Sequence, residues 1–161
     1  MGDDRRGARG ASSHGALHPA MGVLLLALAL LPVRERLGDG ARVPLDGDGT
    51  SWRVQATIDG RARGNLLLDT GATYCVIAPA IARELGLPET GRFATVETAN
   101  GPVRAPVVRL PSLVLGDTAC ASDVDAIVHD AVPGLDGVLG LNLLNRYRYG
   151  IDPERRFLEL H

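Results

Sequence analysis

The chain has 161 residues, 45% of them apolar and 22% charged, with a formal net charge of −2; this describes one modest globular domain with an appendage and offers no basic face for nucleic acid. Its 20 Gly, 10 Pro and 4% aromatic residues favour short strands and turns and exclude a helical bundle or coiled coil. All 17 basic residues are Arg, which removes a Schiff-base lysine or a phosphate-loop lysine from the available chemistry.

Residues 1–20 form a leader carrying Arg5, Arg6 and Arg9, and residues 21–33, MGVLLLALALLPV, are an unbroken apolar run. Spanning the hydrocarbon of a bilayer takes roughly 20 residues, so this length suits the h-region of a signal peptide. The only A-x-A, Ala27-Leu28-Ala29, lies inside the run, however, and cutting there would leave too short a segment. Residues 21–33 are therefore read as a signal anchor or a signal-peptide h-region, with a membrane-anchored or exported protein as the consequence. Residues 34–50 are rich in Gly and Asp without sustained periodicity and read as a linker, so the folded domain is expected over 51–161.

Within that domain Trp52, Val54, Ala56 and Ile58 alternate with polar positions, Asp59-Gly60 supplies a two-residue turn, and 61–68 return toward Leu66-Leu67-Leu68. A break at 69–72 precedes a strand over 73–77. A short helix follows, with Pro79 in its first turn and Gly86 just past its end. Two alternating segments, 93–98 and 103–110, flank Ala99-Asn100-Gly101-Pro102 and predict a projecting hairpin. Strands are expected at 113–115 and 124–128, separated by a Gly116-Asp117 turn. The loop HDAVPGLDG, the apolar Val138-Leu139-Gly140 and a helical stretch LNLLNRY come next, and the chain closes with 147–152, a turn at Pro153 and 155–160.

A lone carboxylate after three leucines needs a reason, and LLLDTGATYCVI places Asp69 there, followed by Thr70, Gly71 and Ala72. As a bare triplet, Asp-Thr-Gly is an ordinary turn former. Its flanks alter that reading: a β-rich segment after it, the glycine-containing hairpin at 98–102, and Val138-Leu139-Gly140 leading into Asn142-Leu143-Leu144.

In that order these segments resemble the retropepsin-like aspartic proteases, specifically the small single-domain bacterial members with a membrane or export leader. The resemblance covers 51–161. It implies an all-β closed barrel with one or two short helices and a flap hairpin, acting on extended polypeptides, with no cofactor and no metal. By the same resemblance Asp69 is the catalytic carboxylate, Thr70 braces the loop across a dimer axis, and Gly71 admits the substrate backbone. Ala72, Thr98, Ala99, Asn100 and Gly101 would contact substrate, while Val138, Leu139 and Gly140 would support the site from beneath. The location implied is the bacterial periplasm or its membrane.

The chemistry needs two carboxylates: a water must lose a proton as it attacks a peptide carbonyl while the leaving nitrogen gains one, and two close carboxylates sharing a proton do both. This chain has one Asp-Thr-Gly, since Asp46-Gly47-Asp48-Gly49 and Asp136-Gly137 lack the pattern. Activity therefore implies a homodimer with the site on its twofold axis, and residues 155–160 are the candidates for a terminal strand shared between copies, as in viral relatives. The alternative is a catalytically silent member of the fold that binds peptides.

Thr73 stands where viral members carry Asp, and Leu141 where they carry Arg; as those two pair with each other, losing both leaves no lone buried charge. Ala72 replaces the Ser common in pepsin-like enzymes, which implies a less acidic pH optimum than pepsin's. Elsewhere, His129 reads as an exposed loop residue, and Asp123, Asp125 and Asp130 as solvated loop carboxylates without calcium-loop spacing. Cys75 and Cys120 are one disulfide or two buried thiols, and no metal-binding cysteine spacing is present.

Overall fold

The computed structural model describes residues 40–98, 101–130 and 132–161. The leader, the apolar run at 21–33 and the hairpin-tip residues Ala99 and Asn100 lie outside the described residues. Eleven strands and two short helices follow one another there: β1 (Ala41–Pro44), β2 (Asp46–Gly47), β3 (Trp52–Ile58), β4 (Ala62–Leu68), β5 (Cys75–Ile77), α1 (Pro79–Leu85), β6 (Glu89–Thr98), β7 (Gly101–Leu115), β8 (Ala119–Val128), β9 (Gly137–Leu139), α2 (Leu141–Leu144), β10 (Tyr149–Asp152) and β11 (Phe157–Leu160).

Six strands close on themselves in the order β3-β4-β9-β5-β8-β7, with Ala56, Thr57 and Ile58 of β3 paired to Leu115, Val114 and Leu113 of β7. The expected closed barrel is present. Closure removes the exposed edges a flat sheet of these short strands would carry. Alternation decides what fills it: Val54, Ala56 and Ile58 point inward along β3, and Leu66 along β4, with Cys75 and Ile77 on β5 and Leu110 and Leu113 on β7. Burying each large aliphatic side chain contributes roughly 1.5–3 kcal/mol.

The same alternation gives the barrel wall a second apolar layer on its outer face. Val76, Val107, Ile127 and Val138, each adjacent in sequence to an inward residue, form a separate buried cluster with Ala105. Leu67, Ala72, Ala94, Val96 and Val132 pack on it.

Local signals in the sequence hold where they were strong. Asp59 and Gly60 turn with positive φ (51° and 65°) between β3 and β4. Helix α1 opens at Pro79 and stops at Gly86, whose φ of 60° and amide bonds to the Ala82 and Arg83 carbonyls form a left-handed cap.

The assignment of 34–50 as linker, with the domain starting at 51, is corrected from residue 41 onward. Strand β1 pairs antiparallel with β11 (Ala41 opposite Leu160, Val43 opposite Leu158), and Ala41, Val43 and Leu45 are buried in the core. Strand β2 adds to β3. The sequence hid β1 because its four residues carry no period of their own and its partner lies at the far end of the sequence. Residues 155–160 are likewise not an exposed terminal strand: β11 is the middle strand of a three-stranded sheet β1-β11-β10 within one chain.

Candidate active site

Asp69 follows β4 directly, and β4 runs parallel to β9 with Leu68 beside Leu139. The Asp69 amide donates to the Leu139 carbonyl at 3.1 Å, which ends the ladder and holds the aspartate at its mouth. Its Oδ1 accepts the Gly71 amide at 2.7 Å, and the Ala72 amide donates to its carbonyl at 3.3 Å. This is an aspartate turn in which the side chain takes the place of a backbone acceptor. A Cβ on Gly71 would lie 3.1 Å from that same Oδ1, so a side chain there crowds the carboxylate. Asp69 is half-buried, whereas Thr70 and Gly71 are exposed.

Helix α2 holds the loop from beneath. The Leu141 amide donates to the Ala72 carbonyl at 2.8 Å and the Asn142 amide to the Thr73 carbonyl at 3.0 Å. Val138 packs in the outer apolar cluster and Leu139 in the barrel core. Gly140 is buried where a Cβ would come within 2.4 Å of the Tyr74 carbonyl oxygen, so only glycine fits. Leu139 thus bonds the Asp69 amide and Gly140 lies against Tyr74, while Val138 sits in the apolar cluster on which Ala72 packs.

Two residues that carry this arrangement were named in the sequence without this role. Asn142 accepts the Cys75 amide through Oδ1 at 2.7 Å and donates from Nδ2 to the Asp125 carbonyl at 2.7 Å, tying α2 to both strands flanking the loop exit. Asp125 is not a solvated loop carboxylate: it lies in β8, its side chain is 19% exposed, and it pairs with Arg92 and, at 2.7 Å, with Arg109 Nε. Partial burial pushes its carboxyl up, but the Arg92 hydrogen bond and the charges of Arg109 and Arg92 outweigh that and hold it below its ordinary value. The signal available was Asp125 alternating with Ala126 and Val124 in a strand, with Arg109 on the adjacent β7 and Arg92 on β6 beyond it. Asp130 is exposed as expected; Asp123 is exposed too but lies in β8 and not in a loop, and His129, expected exposed, is half-buried with its amide on the Ile77 carbonyl.

No disulfide joins Cys75 and Cys120. Cys75 is buried, its sulfur accepts the Gly140 amide at 3.4 Å, and burial pushes its thiol up to about 11. It stays protonated at neutral pH and is no nucleophile.

The hairpin of β6 and β7 projects beside the loop. Ala94, Val96, Val103 and Ala105 share one face by register, and Ala94, Val96 and Ala105 belong to the same apolar layer as Ala72 and Val138. Val103, nearer the tip, is 40% exposed. At the tip Thr98 opposes Gly101 and its hydroxyl donates to the Gly101 carbonyl at 2.7 Å. On the other face Arg104 stacks 3.9 Å over the Phe93 ring. The geometry therefore joins Ala72, three residues after the half-buried Asp69, to the same apolar layer as Val138 and the root of the hairpin.

A retropepsin-like aspartic protease from Rickettsia conorii is similar at 25% identity and a TM-score of 0.57, covering 78% of this chain and all of that one. The retroviral protease-like domain of Ddi1 from Leishmania major is 20% identical with a TM-score of 0.48, over 66% of this chain and 84% of that one. Among curated proteins none matches. The family model described as aspartyl protease matches residues 54–143, from β3 through the support beneath the Asp69 loop, and on that match the chain belongs to the aspartyl protease family, with a retropepsin-like fold.

Proposed function

We propose that the protein is an aspartic endopeptidase that hydrolyses peptide bonds in extended polypeptide segments as a homodimer, with Asp69 from each chain activating one water. The observation carrying this reading is the setting of Asp69: its Oδ1 is fixed by the Gly71 amide while the loop is pinned from Leu139, Leu141 and Asn142. Such a loop presents one carboxylate rigidly and leaves the chemistry short of a second. The copy supplies it. One carboxylate takes the proton of water as the oxygen attacks the scissile carbonyl, and the protonated partner donates to the carbonyl oxygen; the proton then passes to the leaving nitrogen as the bond breaks.

In this reading Thr70 braces the two loops against each other and Gly71 lets the substrate backbone approach. The floor of Ala72 and Val138 and the underside of the β6–β7 hairpin receive apolar side chains, and the tip at 98–101 closes over the peptide. The apolar run at 21–33 supports a location at or beyond a membrane.

The test is cleavage of a diverse peptide mixture between pH 4 and 7 by wild type and Asp69→Asn, with and without a statin-type transition-state inhibitor. Cleavage by wild type alone, blocked by the inhibitor, is the expected result. A folded, dimeric wild type that cuts nothing would turn the reading toward a peptide-binding module.

A further inference from the structure

The outer face of the barrel wall carries a polar row beside its apolar layer. Continued past their last pairs, the ladders that match Leu68 with Leu139, Val76 with Val138 and Cys75 with Ala126 set Asp69, Gly140, Tyr74 and Asp125 side by side. Arg109 lies directly opposite Asp125 on the next strand. Close contacts support the row: a Cβ on Gly140 would meet the Tyr74 carbonyl, and Asn142 bridges the Cys75 amide and the Asp125 carbonyl. Cys75, Ala126, Val108 and Leu110 point into the core, so Tyr74, Asp125 and Arg109 point outward. Two residues along the same strands, Val76, Ile127 and Val107 form the outer apolar layer, and Leu67, two residues before Asp69, packs on it.

The far end of this row is over-supplied with positive charge. Asp125 lies between Arg109, whose Nε donates to one carboxylate oxygen, and Arg92 at the root of the hairpin, whose Nη2 donates to the other. One arginine binding both oxygens would neutralise the aspartate; the second leaves a net charge of one. Among the described residues Arg109 uses only Nε and Arg92 only Nη2 in these bonds. The two side chains are 47% and 52% exposed, so their other guanidinium N–H groups stand open to a further acceptor. Tyr74, exposed as well, separates this cluster from the loop of Asp69.

We propose that Arg92 and Arg109 form a subsite for an acidic side chain of the polypeptide substrate, an aspartate or glutamate about four or five residues from the scissile bond. This rests on the proposed reading of Asp69 as the catalytic carboxylate. The spacing follows from the order β4-β9-β5-β8-β7. Neighbouring strands lie roughly 4.8 Å apart, so Asp125 stands three spacings from Asp69 and Arg109 four, about 14 and 19 Å along the wall. An extended peptide advances about 3.3 Å per residue, and the curvature of the barrel shortens the path. A chain crossing the strands from Asp69 therefore reaches the arginines with its fourth or fifth residue. Nearer the bond it passes the layer of Ala72, Val76 and Val138, which takes apolar side chains. Because the second copy repeats the row on the other side of the twofold axis, the preference applies on both sides of the bond.

The test uses the full chain in mild detergent and two fluorescent peptides with a statine residue between apolar neighbours. They differ only in carrying Glu or Gln at the fourth and fifth positions on each side, both positions being filled because alternate side chains of an extended peptide face opposite ways. A second pair has an ordinary peptide bond in place of the statine. By fluorescence anisotropy the Glu peptide is expected to bind about three- to tenfold tighter at low salt, with the advantage shrinking at high salt, as for charges near a surface. Arg92→Gln and Arg109→Gln are each expected to abolish that advantage. Asp125→Asn, with an unchanged far-UV circular dichroism spectrum, is expected to enlarge it, because both guanidinium charges are then unopposed; a cluster that only held the fold together would leave the Glu-to-Gln ratio unmoved. Arg83→Gln, on the exposed side of α1, is the control that keeps the wild-type ratio. Equal affinity for the two peptides, or a ratio that both arginine variants retain, overturns the inference. Equal affinity together with cleavage of both ordinary peptides sinks the subsite alone. A salt-dependent preference for Glu without cleavage of either ordinary peptide sinks the protease reading and leaves the subsite standing, and binding of neither peptide sinks both.

Discussion

Asn142 grips Cys75 across the base of the candidate site: its Oδ1 accepts the Cys75 amide at 2.7 Å while its Nδ2 donates to Asp125. Side chain and backbone are part-buried there, so removing the amide strands a donor and an acceptor together. Asn142→Leu is expected to lower unfolding free energy by about 1–3 kcal/mol, read from urea titration. It should also reduce kcat more than it raises KM, because the loop that aims Asp69 loses its support. An unchanged midpoint would mean that the bond carries no net stability.

The depressed Asp125 carboxyl makes a prediction about pH. A group whose folded pKa lies below its unfolded value of about 3.9 adds stability above that value and loses it as pH falls through the folded pKa. The stability gap between wild type and Asp125→Asn is therefore expected to be fully open at pH 6 and to narrow steadily below pH 4. Denaturation midpoints at pH 6, 4 and 3 measure it; a gap that does not change with pH contradicts the Arg92–Asp125–Arg109 cluster.

Gly140→Ala drives a methyl group to within 2.4 Å of the Tyr74 carbonyl oxygen and 2.9 Å of the Cys75 nitrogen, both backbone atoms that cannot swing aside. Overpacking of this kind costs typically 1–3 kcal/mol and occasionally more, and the variant is expected at or beyond the upper end. Gly150→Ala, with open space around it, is the control expected to melt with the wild type.

Ala72 packs into the apolar layer beside Asp69 and carries no hydroxyl. Ala72→Ser places a donor next to the loop, and a donor favours the ionised carboxylate. The acid limb of the pH–rate profile is expected to move to lower pH in this variant, while the wild-type optimum stays above pH 3.

Where the sequence was legible, the information was local. Asp59-Gly60, Pro79 with Gly86, and Asp69-Thr70-Gly71 each declare a backbone geometry through residues that few alternatives tolerate, whereas the barrel was implied by the family resemblance that Asp69-Thr70-Gly71, the hairpin at 98–102 and Val138-Leu139-Gly140 carry in that order. The supports of the site were harder to see because each is a single polar residue whose meaning depends on a distant partner. Asn142 reads as one more helical residue until Cys75 and Asp125 are beside it, and Asp125 reads as solvated until Arg92 and Arg109 close on it. Strand β1 escaped for the same reason, as four residues without a period of their own, made into a strand only by β11.

That pairing brings the two ends of the described domain together: a side-chain carbon on Gly40 would lie 3.0 Å from the His161 ring. Because β1 enters and β11 leaves at the same end of their ladder, a pull applied between residues 40 and 161 would load the bonds one after another, as a zipper opens, and not all at once in shear. The terminal sheet is thus the mechanically soft element beside the closed barrel. Tension delivered through whatever precedes residue 40 would be felt first at β11, and from there at β10, before it reached the loop that carries Asp69.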